Sequence, residues 1–470
     1  MIALLEVAER AQRGPKMDEK AWNMGLFRKM TELAAKYEVQ VPTGDGFFNY
    51  DEELPDRIFQ AAVDFLSEVG VYCLTTGRVV QFSREEVLQA AREAPRQVLV
   101  GEGRDQRAIK RHLPGDGELV NRHYGGHAPY SEKMLPLVVK NFAQIPSSDY
   151  IEGFNFTNVD GREVYGMPLE AYAARREAAW MREGVRKAGR PGMAIALYPI
   201  STRSSALIAP LDPDYGLRRT DGVLLSVLPE VKVEGDLLTA AIVYEDYGAF
   251  RLNGGGGGHI GSFAGGPSGG MVESAVKHLT GWFCYHDLFG YSVGVEVMGR
   301  GMHSARTHIA GGGRAMHRAS HAVAQALQRH TNLILWGIFG SGWGRTMRAY
   351  LLRSAMSATR GQVTGVNGSG GGRLEQRGVV IMDVNQTPLE AELGDEVGKA
   401  VLRAGIGFRE AEVLLGRIGA EMDIETRAGE WLPKQVSDYY DFVNHRPVGV
   451  YEKTYLGVKD TLARIGLPLS

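Results

Sequence analysis

A single carboxylate stands inside an apolar run: Glu296, within the segment YSVGVEVMG at residues 291–299. A charged group in such a run is costly unless it is paired or used. Aromatic side chains close or flank the other apolar runs. Tyr198 ends MAIALY, the triplet Tyr244, Glu245 and Asp246 ends the run from 237, and Trp336 and Trp343 flank the end of the run from 332. Aromatic faces beside carboxylates are the chemistry of an alkylammonium pocket. Of the 12 histidines, His259 follows the glycine run 254–258, and His303 follows Gly299 and Gly301. Loops after buried runs are where binding residues concentrate, so both are candidates to orient a substrate or leaving group.

Each signal has a plainer counterpart. Glu296 can pair with a buried arginine. Tyr244 and Trp336 can be core, and Glu245 with Asp246 a solvated helix cap. His317 and His321 stand at i, i+4, as do His123 and His127 in a glycine-containing loop. That spacing can present two metal ligands, but no HExxH glutamate or nearby cysteine joins either pair, and structural or surface roles fit better. The glycine runs lack the GxxxxGK[ST] of a phosphate cradle. Gly255, Gly256 and Gly340 are better suited to close approach by a large flat partner, or to a mobile lid.

These residues need a scaffold that gathers many strand ends. Strands are expected near residues 193–198, 222–227, 237–244, 291–298, 332–339 and 378–384, alternating with helical patterns such as 168–187. Pro168 suits the start of that helix, and Gly189 with Pro191 its stop. Such alternation predicts a parallel sheet. With no GxGxxG between a first strand and helix, a barrel is favoured over a dinucleotide-binding sheet. The fold class expected is α/β, a (β/α)8 TIM barrel at residues 150–386. A helical N-terminal extension with a small hairpin (69–82) covers 1–149, and a helical, aromatic-rich extension covers 387–470. In such a barrel the site lies at the C-terminal strand ends, which is why the residues above are candidates.

Composition narrows the classes. The chain has 470 residues, 44% hydrophobic and 23% charged, with 53 basic against 55 acidic side chains. Ordinary globular composition excludes collagen, coiled coil and wholesale disorder, and near-neutral charge advertises no nucleic-acid or anionic-membrane partner. Two isolated cysteines, Cys73 and Cys284, make no disulfide framework. No run approaches the roughly 18 apolar residues of a membrane helix, and the N-terminus does not read as a signal peptide. A cytoplasmic protein is expected. The 61 glycines are the outlier, against a usual share of about 7%.

Several motifs in one order carry a resemblance. They are Glu68-Val-Gly-Val-Tyr-Cys-Leu-Thr-Thr-Gly-Arg-Val-Val, Gly101-Glu-Gly-Arg-Asp105, Gly189-Arg-Pro-Gly-Met193, Gly261-Ser-Phe-Ala-Gly-Gly266, His308-Ile-Ala-Gly311 and the stretch from Tyr451-Glu-Lys to Leu467. Together they resemble the monomethylamine methyltransferases of methanogens across nearly the whole chain. The resemblance implies a TIM barrel, a homo-oligomer of the hexameric kind, and methyl transfer to the Co(I) corrinoid (cobalamin) of a partner protein. That family's hallmark is pyrrolysine a few residues after the GRPGM-like motif. The matching position here is Ala196, and the glutamate that supports pyrrolysine falls on Gly255. The related trimethylamine methyltransferases include members without pyrrolysine that use quaternary amines, whose methyl is already activated.

The resulting expectation is a corrinoid-dependent methyltransferase without pyrrolysine, acting on a quaternary amine or another pre-activated methyl donor. Ala196 would line the mouth, Tyr198, Trp336 and Trp343 would face the cation, and Glu245 or Glu296 would balance it. His259 and His303 would orient it. Two alternatives stand beside this. In one, the histidines and Glu296 hold zinc and activate an O- or S-methyl donor. In the other, a non-catalytic homologue binds a corrinoid or its carrier protein.

Overall fold

Eight parallel strands close on themselves in chain order in the computed structural model. They are Arg122–Gly125, Tyr150–Glu152, Ala194–Leu197, Gly222–Leu225, Phe250–Asn253, Phe289–Gly290, Ile334–Gly337 and Asn367–Ser369. The last pairs with the first, Gly368 opposite Arg122 and Ser369 opposite His123, so no sheet edge remains. The structure describes residues 2–125, 131–153, 158–166, 168–198, 201–255, 258–260, 264–290, 295–297, 312–337, 343–344, 346–369, 373–376, 379–381, 387–425, 438–467 and 469.

Each strand is followed by a helix, the eighth being Pro388–Arg403, which packs between the seventh, Met347–Thr364, and the first, Leu135–Ala143. The barrel therefore runs from Arg122 to Arg403. The expected limits of 150 and 386 cut off its first strand and last helix. The missed strand, RHYG, is short and has no β-branched residue to signal it.

Of the other expected strands, one is corrected to a helix and two form outside the barrel. Residues 237–244 lie within a helix, Gly235–Tyr247, closed by Gly248 at φ 92°. Eight nearly unbroken apolar residues suit a buried helix as well as a strand. The sixth barrel strand is Phe289–Gly290, while Val295–Val297 pairs with Gly258–Ile260 outside the barrel. Val379–Ile381 belongs to a separate three-stranded sheet with Arg373–Gln376 and Trp343–Gly344. The expected strands near 193–198, 222–227 and 332–339 are barrel strands. The helix at Leu169–Lys187 and the hairpin of Val71–Cys73 with Arg78–Val80 also form as read. Ser83 and Glu86 make the reciprocal capping box that their spacing predicts.

Strand alternation sorts the core into two clusters. Ile151, Ile195, Leu197, Val223, Leu225 and Leu335 face outward onto the helices. Tyr150, Ala194, Ala196, Leu224, Phe250, Leu252, Phe289, Ile334 and Trp336 fill the barrel interior. The lower end of that interior is stoppered by a second hairpin, Gln97–Val100 with Arg107–Lys110, whose Val100 and Ile109 join the interior cluster. Gly101 bonds to the Thr220 carbonyl and Glu102 to that of Gly192, so the hairpin is sewn to the strand starts.

Candidate active site

The mouth of the barrel is reached at the last residues of each strand, and two neighbouring strands put polar chemistry there. On the second strand Tyr150 and Glu152 face inward, and Ile151 outward. On the third, Ala194 and Ala196 face inward, with Tyr198, half-buried, packed on the same interior cluster. Glu152 stands opposite Ala196 in register, and the Gly153 amide donates to the Ala196 carbonyl at 2.6 Å. Paired strands lie about 4.8 Å apart, so the carboxyl of Glu152 rises beside the small side chain of Ala196.

Glu152 is not isolated. His123, inward on the first strand, places Nε2 3.1 Å from its Oε2, and the two residues are only 1% and 3% exposed. The other ring nitrogen of His123 lies 3.3 Å from the Tyr150 hydroxyl. A histidine protonated on Nε2 would donate to Glu152 and accept from Tyr150, giving a tyrosine–histidine–glutamate chain. The second oxygen, Oε1, is buried with no hydrogen-bond partner among the described residues. An acceptor in that condition needs a donor or a cation to complete it.

Aromatic rings form the floor beneath. The His123 ring stacks on Tyr150 with centroids 4.9 Å apart and tilts against Trp336 at 4.7 Å. Tyr150, Phe289 and Trp336 pack on one another at 5.7–6.2 Å. Behind the wall lies a second buried carboxyl, Glu177. A Cβ on Gly153 would come within 2.3 Å of its Oε1 and 2.8 Å of the Tyr198 backbone nitrogen, which cannot swing aside, so glycine lets the second strand leave the barrel there.

The sequence-derived candidates divide. Ala196 and Tyr198 lie on the inner wall beside Glu152. Trp336 is fully buried and belongs to the floor. Glu245 is corrected: it lies at the C-terminal end of a helix, hence at the base of the barrel, and bonds His286 at 2.5 Å and Arg251 at 3.5 Å. Tyr244 is core, donating its hydroxyl to the Leu207 carbonyl. Gly255 faces its own chain, since a Cβ there would sit 2.0 Å from the Val227 carbonyl oxygen. Its glycine therefore serves backbone packing rather than approach by a flat cofactor. His259, Glu296 and Trp343 are on described strands, but their side chains lie outside the described residues, as do His303, Gly256 and Gly340 altogether.

Among the described residues no group of three metal-ligating side chains is gathered. His317 and His321 are not a ligand pair: His317 packs tilted against Phe47, while His321 accepts from the Asn49 amide and packs edge-on to Phe48. Burial, with Arg360 nearby, pushes His321 down to about 3. Both cysteines are buried and free. No described helix is long and apolar enough to cross a membrane.

Sequence reasoning missed Glu152, and it read His123 only as half of an unpromising pair. The available signal was Glu152 between Ile151 and Gly153 in the short run DYIEGF, a segment that the sequence reading did not assign to a strand.

Comparison with known proteins decides the affiliation. The family described as monomethylamine methyltransferase MtmB matches residues 2–467. The chain belongs to the MtmB family. It is 24% identical over 475 residues to monomethylamine methyltransferase MtmB2 of Methanosarcina barkeri, covering 98% of this chain and 97% of that one. It is 29% identical over 240 residues, half of this chain, to MtmB2 of Methanosarcina acetivorans. Among solved structures, the Methanosarcina barkeri enzyme and the hydroxylamine MtmB complex each superpose with a TM-score of 0.86 at 22% identity, covering 99% of this chain and 98% of the other. That likeness establishes the fold, and the family match makes the protein a methyltransferase.

Proposed function

We propose that this MtmB-family protein takes a methyl group from a small, positively charged, already activated donor such as a quaternary amine. The acceptor is the Co(I) corrinoid of a separate carrier protein. The observation that carries the reading is the buried Glu152–His123 pair set beside Ala196 on the inner wall of the barrel. Where the family resemblance puts pyrrolysine this chain has alanine, and an alanine cannot form an adduct with an amine. The donor must then leave unassisted. A quaternary nitrogen does so, because its C–N bond breaks with the electron pair staying on nitrogen and a neutral tertiary amine departs.

A corrinoid bound at the mouth supplies the nucleophile for the methyl group. This chain's own residues bind and orient. The open oxygen of Glu152 attracts the cation, His123 and Tyr150 hold that carboxyl in place, and Tyr198 offers an aromatic face at the rim. No proton transfer is needed, so catalysis is chiefly alignment of the methyl carbon in a dry, preorganised site. A homo-oligomer of the hexameric kind and a cytoplasmic location belong to the same reading.

The test is methyl transfer to Co(I) cobalamin with quaternary amines, monomethylamine, and methoxy or methylthio compounds. Turnover of a quaternary amine ahead of monomethylamine is expected. Faster turnover of monomethylamine than of every quaternary amine overturns the reading.

A further inference from the structure

At the base of the barrel, away from the mouth, four arginines surround a cleft of about 350 Å³. Arg92 is in the last turn of the helix Arg84–Glu93. Arg96 and Arg111 lie at the two ends of the stopper hairpin, and Arg329 is in the last turn of the helix Gly312–His330, which leads into the seventh strand. The remaining lining is Phe59, Leu88, His330, Thr331 and Asn332.

The charges are unevenly compensated. Arg329 pairs with Glu52 and Asp56, and His330 also with Asp56. Among the described residues, no carboxylate lies within ion-pair distance of Arg92, Arg96 or Arg111. Two of these are fixed in place all the same. Arg96 donates from Nε to the Asn332 side chain at 2.9 Å, and Arg111 donates to the Gln328 carbonyl. The Nε of Arg111 is buried with no partner among the described residues. Burial, followed by the neighbouring charge of Arg96, lowers the Arg111 pKa. Like charges held together without a counter-ion cost stability, and a bound anion relieves that cost. The nearby Glu93 accepts from Gln89 at 2.9 Å and is not among the residues lining the cleft. One wall is apolar, with Leu88 and a Phe59–His330 stack at 4.4 Å.

We propose that this cleft is a binding site for a small phosphate-bearing polyanion, held by the forked donors of Arg92, Arg96 and Arg111. Guanidinium forks match phosphate oxygens two at a time, and the volume lies at the small end of ligand sites, about 300–1,000 Å³. The site is independent of the methyl donor and of the acceptor at the mouth.

The test is titration calorimetry of the full-length protein with inorganic pyrophosphate at constant ionic strength, alongside thermal melts against equal ionic strength of sodium chloride. Saturable binding and a rise in Tm beyond the chloride control are expected. The double variant Arg96→Gln/Arg111→Gln should bind at least tenfold more weakly. Arg92 is exposed, so Arg92→Ala keeps the fold and should still weaken binding several-fold, with methyl-transfer activity unchanged. No saturable heat with the wild type, or equal affinity in both variants, overturns the proposal. So does a variant that changes only the sedimentation of the protein, which would make the cleft a contact between copies.

Discussion

The carboxyl of Glu152 has one oxygen against His123 and one with no partner among the described residues, and that asymmetry makes it the residue to change first. Glu152→Gln keeps the shape and an acceptor for His123 but removes the charge. Removing one member of a desolvated charge pair costs about 2–5 kcal/mol, with each 1.4 kcal/mol about tenfold. The KM for a cationic methyl donor should rise about 30-fold or more, while a neutral methylthio donor changes little. Steady-state transfer to Co(I) cobalamin with both donors measures it, and equal effects on the two would show that the carboxyl only supports the wall. Glu390 offers a second residue-level test. It is buried among the Tyr350 hydroxyl, Ser354 and the tail that carries Tyr451, and burial pushes it from near 4.5 up to about 7. Between those pH values the folded protein holds a proton that the unfolded chain has lost, so this group's contribution to stability falls as pH rises through that window and is level beyond it. Melts of wild type and Glu390→Gln from pH 5 to 8 should therefore show the variant gaining on the wild type with rising pH. A variant-minus-wild-type difference in Tm that falls or stays constant as pH rises would contradict this.

At the scale of elements, the contact between stopper hairpin and barrel depends on close backbone approach. A Cβ on Gly192 would lie 2.2 Å from the Glu102 carbonyl oxygen, and one on Gly101, at φ +72°, 2.8 Å from that of Gly192. Backbone cannot move aside as a side chain can. Gly192→Ala should cost about 1–3 kcal/mol, as overpacking does. Gly25→Ala, exposed in the middle of the helix Glu19–Lys36 with nothing within 4 Å, should be neutral or stabilising. Urea denaturation of the pair measures the difference. This contact was not legible in the sequence, where Gly101-Glu-Gly-Arg-Asp105 figured only as a family motif. The elements that were legible have strong local signals: the proline start and glycine stop of Leu169–Lys187, the capping box at Ser83, and the apolar strands at 194, 222 and 334. Those that were not are a two-residue strand at Phe289–Gly290, a strand with no β-branched residue at Arg122–Gly125, and a helix at Gly235–Tyr247 whose middle is almost wholly apolar. In each, tertiary packing rather than local pattern sets the conformation. The site was lost with them, because His123 and Glu152 sit on the first two strands, and half of the aromatic floor on short ones.

Across the whole molecule, the N-terminal helices and the barrel share one core. Trp22, Leu26 and Met30 from the helix Glu19–Lys36, and Ile58 and Phe65 from Leu54–Glu68, are buried in the same cluster as Met271, Val272 and Leu279 of the fifth barrel helix. The Trp282 indole donates to the Ala90 carbonyl, and Val71–Cys73 pairs in parallel with Lys232–Val233 after the fourth strand. The barrel's own lower end is filled by residues that precede it, Val100 and Ile109. Closure of the sheet also needs the eighth strand to find the first across more than 240 residues, Ser369 opposite His123. None of these parts can bury its apolar face alone, so they should unfold together. Urea unfolding followed by tryptophan fluorescence and by far-ultraviolet circular dichroism is expected to give coincident single transitions. A fragment of residues 122–470 should be insoluble or unfolded, because it lacks both the stopper and the helices that cover the fifth and sixth barrel helices. Two separated transitions, or a soluble, cooperatively folding fragment, would show that the first 121 residues are an appendage rather than part of the barrel's core.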